Sequence, residues 1–401
     1  MSDTNDPFDP AGLRAAFDER LVKRSEQTRT TVMGAGSDDL VDAGRAYLKA
    51  LADGGWAVPT WPKEYGGMGA TPAQAAVVAD ALRHYETPDL YAFSIGLGIG
   101  GPTMIDLGSP ELCARILPRT ASGEDIWCQL FSEPNAGSDL ANLGCAAQRD
   151  GDEWVLSGQK VWTSRGMWAR WGFLLARTNV EVPKHKGITA FLIDMAAPGV
   201  DVRPLRQMNG DQHFSEVFLS EVRVPDANRI GAEGDGWRVA ITALGYERGG
   251  VTTRHTASGG TQGRLMALVR ESGGAADLVT RQRLAHLVSY TKAASWTAER
   301  AAASAKSGAP GPAGSGGKIR WGDQLKMTGR LAKDLQGPLG MLAEDGEDGW
   351  HTIFMTGPSM SIRGGTDEIQ RNIVGERVLG LPPEPRVDKD QPFSQVKRSG
   401  A

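Results

Sequence analysis

The order of secondary-structure signals along the 401 residues predicts an α+β protein built in three parts. Apolar residues recur at helical spacing before about residue 125, short β-branched and aromatic runs follow, and helical spacing returns from Trp237. A chain of this length usually holds two or three domains. We therefore expect an N-terminal helical domain, a middle β-barrel or sandwich, and a C-terminal helical bundle. The predicted ranges are 1–125, 126–236 and 237–385, followed by a tail at 386–401.

Turn and cap residues divide the first two parts into elements. In the N-terminal part we predict helices over 40–51 and 71–85, the second with Thr71 as its cap and Pro72 in its first turn. In the middle part, residues 153–164 have the composition of a hairpin with a Ser-Gly turn. Further strands are predicted at 171–177, 188–193, 200–205 and 216–219.

Helical periodicity organises the last part of the chain. A segment rich in Gly, Pro and Ser, residues 307–317, is expected to be an exposed loop between two helices. Helices are predicted over 238–253, 263–271, 276–305, 321–343 and 367–379.

Composition excludes several classes of protein. The chain is 40% hydrophobic and 23% charged, with a formal net charge of −4 and no basic cluster, which argues against nucleic acid as a partner. The acidic first ten residues have no apolar run, so no signal peptide is expected, and no apolar stretch approaches the ~20 residues of a membrane span. Three cysteines and six scattered histidines lack metal-type spacing. We expect a cytoplasmic protein without a metal.

A first candidate ligand site lies in residues 129–140. Pro134, Asn135 and Gly137 shape a tight turn that directs the hydroxyl groups of Ser132 and Ser138 to one side, together with nearby N–H groups. Such donors suit the carbonyl-rich edge of a flavin ring. An ordinary turn at the end of a strand would have the same residues.

A second candidate lies at the end of the predicted strand 153–164. Trp162 could stack on an isoalloxazine ring while Ser164 bonds its polar edge, or it could be one core tryptophan among the 11 in the chain.

Two further candidates lie in the C-terminal part. Gly364 and Gly365 precede a helix start with Thr366 as its cap, which suits either a phosphate-bearing ligand or a plain capped surface helix. Glu247 is followed directly by Arg248 on a helix of small residues, which indicates either an exposed ion pair or an acid–base group. His255, about two turns later, is either structural or part of a pocket.

These stretches together resemble the acyl-CoA dehydrogenase family. Ser132-Glu133-Pro134 with Gly137-Ser138-Asp139 is similar to the family's first signature, and residues 364–373 resemble its C-terminal signature. The resemblance extends over roughly residues 56–381, including the Trp-Pro-Lys-Glu-Tyr-Gly-Gly run at its start. It implies a helical N-terminal domain, a middle β-barrel and a C-terminal four-helix bundle, with FAD as the cofactor.

The resemblance also implies which residues contact ligands. A loop near residue 336 would hold the adenosine end of FAD from a neighbouring subunit. The implied cofactor-binding residues are Gln129, Leu130, Phe131, Ser132, Gly137, Trp162, Thr163, Ser164, Gln336, Gly337, Gly340, Thr366 and Glu368. The implied substrate-binding residues are Ser138, Tyr246, Arg248, Arg363, Gly364 and Gly365.

Three positions depart from the family's pattern. Pro338 interrupts the loop for the adenosine, and no Arg-x-x-Phe-Gly motif, whose arginine reaches a neighbour's FAD pyrophosphate, is recognisable near residues 279–284. Arg363 replaces the usual aromatic residue, and we predict that it borders the acyl pocket.

The catalytic base shows the clearest departure. In many members a glutamate that removes the substrate's α-proton stands immediately before Gly-Thr, where this chain has Gly364. In the branches for isovaleryl-CoA and for long-chain substrates, that glutamate instead precedes an arginine on an earlier helix, as Glu247 precedes Arg248. The resemblance therefore implies that Glu247 is the general base.

The implied reaction is the FAD-dependent α,β-dehydrogenation of an acyl-CoA to the trans-2-enoyl-CoA, with hydride transfer to flavin N5 and an electron-transferring flavoprotein as acceptor. Two alternatives remain: a flavin oxidase of the same fold, and a non-catalytic FAD-binding subunit of a hetero-oligomer. We expect a homotetramer or a hetero-oligomer with a related subunit. Gly245, Gly249 and Gly250 beside the base indicate room for a bulky acyl group.

Overall fold

The computed structural model describes residues 6–25, 38–254, 259–306, 315–342 and 349–396. The chain divides into two units, which we call the first and the second unit. The first unit comprises Met1–Arg206, Asp211–Ala243 and Asp388–Ala401, and the second comprises Gln207–Gly210 and Leu244–Val387. The helical N-terminal part and the β part thus belong to one unit.

Several helices in the N-terminal part begin at a polar side chain that caps them. The Thr71 hydroxyl accepts a bond from the Gln74 N–H, and the Gln74 side chain accepts from the Thr71 N–H at 2.9 Å, which completes the predicted cap. Ser109 caps a later helix through the Leu112 N–H at 3.2 Å. The described α-helices here are α1 (Pro10–Asp18), α2 (Asp38–Ala52), α3 (Pro72–Leu82), α4 (Gly101–Leu107) and α5 (Pro110–Ala121).

The predicted β domain is confirmed as an eight-stranded sheet. Its strands are β1 (Trp127–Leu130), β2 (Ala146–Asp150), β3 (Glu153–Ser164), β4 (Trp171–Arg177), β5 (Ile188–Asp194), β6 (Val200–Leu205), β7 (Phe214–Pro225) and β8 (Arg229–Ile230). The strand order is β6–β7–β3–β2–β4–β5–β8, and β1 pairs in parallel with β4.

Strands β4 and β5 are buried on both faces. Along β4, Phe173 packs in a cluster with Ile116 of α5, while the next residue, Leu174, packs with Trp154 on the other face. Strands that are covered on both sides need continuous apolar runs rather than alternation, which explains the sequence of β4.

The predicted hairpin within residues 153–164 is wrong, because β3 is one continuous strand. The register between β3 and β7 shifts between Leu156 and Gly158, so the Ser-Gly pair forms a β-bulge instead of a turn. A Cβ at Gly158 would lie 2.8 Å from the Cα of Cys145. Glycine is therefore required here by a close backbone approach.

Helices return at α6, which begins in the first unit and continues into the second. The described helices are α6 (Gly236–Arg254), α7 (Gly259–Glu271), α8 (Leu278–Lys306), α9 (Ser315–Gln336), α10 (Trp350–Thr356) and α11 (Asp367–Arg377). Several predicted bounds differ from the observed ones, most clearly at the two ends of α9. Residues 315–317, predicted as loop, are the first turn of α9, and the rest of the predicted loop, 307–314, lies outside the described residues. The helix predicted to reach residue 343 ends at Gln336, because Gly337 adopts φ +55° and Pro338 follows it.

The predicted tail contains a packed segment. Phe393 is 1% exposed, and its N–H donates to the Val182 carbonyl at 2.9 Å. Residues 388–396 therefore belong to the fold of the first unit. Within the described residues, no helix has the length and apolar character to cross a membrane.

Candidate active site

A tight turn in the first unit organises the first signature. The backbone groups of Glu133 and Ala136 bond each other at 3.0 and 3.1 Å, which closes the predicted turn. The Glu133 carboxylate accepts the N–H groups of Gly144 at 2.7 Å and of Cys145 at 2.9 Å. The glutamate of the signature thus fixes the loop that follows it.

A buried lysine supports this turn, and sequence reasoning did not assign it a role. Lys160 is 0% exposed, and its ammonium group bonds Glu133 Oε1 at 2.8 Å and the Phe131 carbonyl at 3.1 Å. A buried ammonium group needs such partners, since an isolated charge in the interior is costly. The only sequence signal was its place in the Gly-Gln-Lys-x-Trp pattern, two residues before Trp162.

The remaining residues of the first signature fall into two groups. The side chains of Leu130 and Phe131 are buried in the core, so any contact of theirs with a cofactor must use the backbone. Gln129 and Ser132 are half-buried, and Gly137 and Ser138 are exposed. A Cβ at Gly137 would meet nothing within 4 Å, which leaves open space beside the turn.

Trp162 has the geometry of a ligand platform. Its side chain is 60% exposed, and its backbone adopts φ +60°, which is rare for a bulky residue. The irregular pairing of β3 with β7 between Lys160 and Thr163 produces this conformation. A strained backbone that turns a large aromatic ring outward is typical of a functional site. The core alternative for this tryptophan is wrong.

The two residues after Trp162 differ in their exposure. Thr163 is fully buried opposite Ser215 of β7, and its hydroxyl has no hydrogen-bond partner among the described residues. Ser164 is half-buried. Trp162 therefore presents its side chain to a ligand, whereas Thr163 can contact a ligand only through its backbone.

The exposed Trp162 ring and the polar groups of the first signature, both in the first unit, fit an isoalloxazine ring. The Trp162 ring would supply an apolar face, and the exposed turn at Gly137 would supply backbone donors. These residues therefore suit the flavin end of FAD.

Glu247 and Gly364 meet in the second unit. Gly364 adopts φ +65°, and a Cβ built on it would lie 3.3 Å from Glu247 Oε1. The carboxylate of Glu247 therefore occupies the space that a side chain at position 364 would enter. The structure brings together two residues that are far apart in sequence and that the sequence had linked.

Gln370 of α11 holds the glycine turn from behind. Its Nε2 donates to the Gly364 carbonyl at 2.8 Å, and a Cβ at Gly365 would lie 2.7 Å from the same nitrogen. Gly365 adopts φ +81°, so both steric space and backbone conformation require glycine there. Sequence reasoning missed Gln370, although it lies within the C-terminal signature.

A buried ion pair anchors the start of α11. Thr366 caps the helix by accepting the Ile369 N–H at 3.2 Å, as predicted, and Lys318 of α9 bonds Asp367 at 3.2 Å. Burial raises the pKa of Asp367, but hydrogen bonds from Ser361 and Lys318 outweigh burial and hold that pKa below its ordinary value. Burial lowers the pKa of Lys318.

The other predicted ligand-binding residues of the second unit differ in their exposure and in their contacts. Glu368 is exposed, Tyr246 is 37% exposed, and Arg363 Nε contacts Met360 Sδ at 2.8 Å. Gln336 ends α9, and Gly337 and Gly340 follow it in a short 3-10 turn, with Gly340 buried. The side chain of Arg248 and all of His255 lie outside the described residues.

The cysteines are poorly suited to chemistry. All three are buried, and burial raises the pKa of Cys113 and of Cys145 to about 11. In the part of the chain that the structure describes, no three His, Cys, Asp or Glu residues gather as a metal site would require.

The fold and the arrangement of these residues fit a flavin-dependent dehydrogenase. Family models for acyl-CoA dehydrogenases match the chain with their N-terminal domain over residues 18–124, their middle domain over 128–222 and their C-terminal domain over 234–379. The chain belongs to the acyl-CoA dehydrogenase family of flavoproteins, and its cofactor is FAD.

A curated relative and two solved structures extend this comparison. Acyl-CoA dehydrogenase IpdE1 of Mycobacterium tuberculosis is 39% identical over 349 residues, which cover 85% of this chain and 88% of the relative. The Tcur3481-Tcur3483 steroid ACAD has a TM-score of 0.77 at 28% identity and covers 94% of this chain and 97% of that one. The ChsE4-ChsE5 complex from Mycobacterium tuberculosis has a TM-score of 0.68 at 26% identity, with 96% and 100% covered.

Proposed function

We propose that this chain catalyses the α,β-dehydrogenation of an acyl-CoA thioester to the trans-2-enoyl-CoA, with Glu247 as the general base. The observation that supports this most strongly is the 3.3 Å distance between Glu247 Oε1 and a Cβ built on Gly364. In many family members the base projects from that second position. A carboxylate that fills the same space from α6 can serve the same α-proton.

The chain's own residues supply the proton acceptor and its surroundings. Glu247 takes the α-proton, which becomes acidic when a hydrogen-bond donor polarises the thioester carbonyl. Gly364 leaves room for the carboxylate, and Gln370 holds the Gly364 carbonyl in place at 2.8 Å. FAD, when bound, supplies the two-electron acceptor for the hydrogen that leaves the β-carbon. The expected final acceptor is an electron-transferring flavoprotein.

We propose a bulky, polycyclic acyl group as the substrate class. Gly245 lies two residues before the base, and a Cβ there would meet nothing within 4 Å. One similar solved structure is named a steroid ACAD, that is, a steroid acyl-CoA dehydrogenase. A steroid ring or side chain attached to CoA is therefore the first substrate to test against straight-chain thioesters.

We also propose that a related chain completes the assembly. Five large apolar side chains at one end of the α8–α9 pair are 62% to 80% exposed. They are Leu278, Val279, Leu339, Met341 and Leu342. Large apolar side chains exposed close together favour a contact with another protein. Both similar solved structures have names that pair two proteins. A partner chain could supply the FAD-pyrophosphate arginine that we do not recognise near residues 279–284.

The test is anaerobic mixing of the purified yellow protein with steroid-CoA, branched and straight-chain acyl-CoA thioesters. We expect loss of the flavin absorbance band and formation of the 2-enoyl-CoA, fastest with the bulky thioester. The Glu247→Gln variant should keep its flavin and lose the bleaching.

Other outcomes would support the alternatives. Bleaching that survives in Glu247→Gln would refute the base assignment. Rapid reoxidation of the bleached flavin by air would favour an oxidase. A chain that purifies colourless and becomes yellow only with a related chain would support the hetero-oligomer. Equal rates with all thioesters would contradict the proposed substrate class.

A further inference from the structure

The segment Asp388–Val396, which we call the strap, lies on the first unit although more than 200 residues separate it from its contacts in sequence. Its backbone donates from Phe393 to the Val182 carbonyl and from Ser394 to the Val180 carbonyl, both at 2.9 Å. Pro183 and Pro392 form an isolated antiparallel bridge next to these bonds. The strap is thus paired with the chain between β4 and β5 as a short added strand would be.

The first link from the strap to the signature is an ammonium group shared by two carboxylates. Lys184 Nζ lies 2.7 Å from Asp388 Oδ2 of the strap and 3.0 Å from Asp139 Oδ2. Asp139 directly follows Ser138 in the first signature. Burial lowers the pKa of Lys184, but its bonds to Asp388 and Asp139 outweigh burial and raise that pKa above its ordinary value. Lys184 therefore stays charged and joins the two segments.

The second link is a buried arginine under an aromatic ring. The Phe393 ring of the strap lies 3.7 Å from the Arg177 guanidinium carbon and covers its face. Beneath the ring, Arg177 donates to the carbonyls of Ala141 at 2.6 Å and Leu143 at 3.1 Å. Arg177 is buried, so the ring of Phe393 shields these hydrogen bonds from water.

Both links end in one stretch, residues 136–144, which we call the signature loop. Its start carries Gly137 and Ser138, and its end is fixed by the Glu133 carboxylate at Gly144. Every second residue from 139 to 143 accepts a hydrogen bond from a cation that contacts the strap. Lys184 donates to the Asp139 carboxylate, and Arg177 donates to the carbonyls of Ala141 and Leu143. Nothing else between residues 137 and 143 is tied to a charged side chain in the described contacts.

We propose that Asp388 and Phe393 are positioning residues that act through Lys184 and Arg177 to fix the signature loop and with it the placement of Ser138 toward the acyl-CoA. The second half of this inference rests on the proposed function, because the substrate contact of Ser138 belongs to it. The first half, that the strap holds the loop, is independent of the reaction.

Hydrogen–deuterium exchange of the full-length, flavin-loaded protein tests the first half. Asp388→Asn removes one link and Phe393→Leu removes the other while keeping an apolar side chain. We expect amide exchange in residues 136–144 to become about five- to tenfold faster in either variant, because local opening reports the contacts that are lost. Asp390→Asn is the matched control: Asp390 lies two residues from Asp388, is exposed, and pairs with no described residue.

Steady-state kinetics test the second half. A loosened Ser138 should raise KM for the acyl-CoA about three- to tenfold and lower kcat by a smaller factor, since the base Glu247 lies outside the signature loop. A purely structural role would lower the unfolding temperature and leave KM unchanged, which would overturn the proposal. Unchanged loop exchange in both variants would also overturn it. If no thioester bleaches the wild-type flavin, the proposed function fails, and the exchange comparison still decides whether the strap holds the loop.

Discussion

The carboxylate of Glu247 fills the space that a side chain at Gly364 would enter, with Oε1 3.3 Å from the position of a Cβ there. The two residues are 117 positions apart in sequence (364 − 247) and lie in the same unit. A side chain at position 364 would press against the Glu247 carboxylate unless one of the two moved. The glycine is therefore as much a part of the arrangement as the glutamate.

Gly364→Ala should slow flavin reduction without removing the flavin. A methyl group at 3.3 Å from Oε1 would push the Glu247 carboxylate away, and alanine at φ +65° costs about 1–2 kcal/mol. We expect a loss in the rate of bleaching of about tenfold or more. Gly380→Ala is the control, since Gly380 adopts φ +70° with nothing within 4 Å of its Cβ. Equal effects of the two substitutions would mean that backbone strain alone is responsible.

Trp162→Ala should weaken FAD binding and leave the unfolding temperature of the apoprotein nearly unchanged. The ring is 60% exposed, so its removal opens no cavity, whereas lost stacking on the flavin costs about 0.5–1.5 kcal/mol, or up to about tenfold in Kd. Trp162→Phe should retain most of the affinity. Fluorescence titration of the apoprotein with FAD measures both, and an unchanged Kd in Trp162→Ala would remove the ring from the flavin site.

Lys160→Met should destabilise the first unit strongly. The substitution leaves the Glu133 carboxylate without its ammonium partner in a nearly buried position, and breaking such a pair costs about 3–5 kcal/mol. Lys23→Met removes an exposed ammonium group from Asp18 and should change stability little. Urea unfolding of both variants provides the comparison. A loss at Lys160 no greater than at Lys23 would show that the pair does not support the turn.

The stability of the first unit should depend on pH through Asp226. Its bonds from Arg229 Nε at 2.9 Å and Trp154 Nε1 at 2.7 Å lower the pKa of Asp226 to about 2. Because the folded pKa is depressed, the stabilisation is complete above the ordinary value of 3.8 and is lost as the pH falls toward 2. The urea midpoints of wild type and Asp226→Asn should therefore differ at pH 5 and converge near pH 2. A difference that stays constant over this range would contradict the assignment.

Patterns in the sequence predicted the strands and helix caps that depend on neighbouring residues in the chain. The strands at 171–177 and 200–205 match β4 and β6, and Thr71 caps α3 as expected. The base and the glycine could be linked because both lie in recognisable motifs. The proximity of Glu247 and Gly364 is observed, and the role of Glu247 as the catalytic base is a prediction.

Features that depend on distant contacts could not be predicted. Gly158 sits in a Ser-Gly pair that is typical of a turn, yet it permits the backbone of Cys145 to approach. Asp388 and Phe393 lie in a polar segment without periodicity, and their partners are about 200 residues away. Lys160 was visible in its motif, but its complete burial was not, because spacing carries no information about which lysine loses contact with water.

The most direct test of the account is the rate of anaerobic flavin bleaching by the best acyl-CoA in Glu247→Gln and in the double variant Glu247→Gln with Gly364→Glu. We expect the single variant to be slower than wild type by about 10²–10⁴-fold, the usual contribution of a general base. The double variant should recover part of that loss, because its new carboxylate enters the same space, although glutamate at φ +65° carries a backbone cost. A single variant that bleaches at the wild-type rate would contradict the central claim.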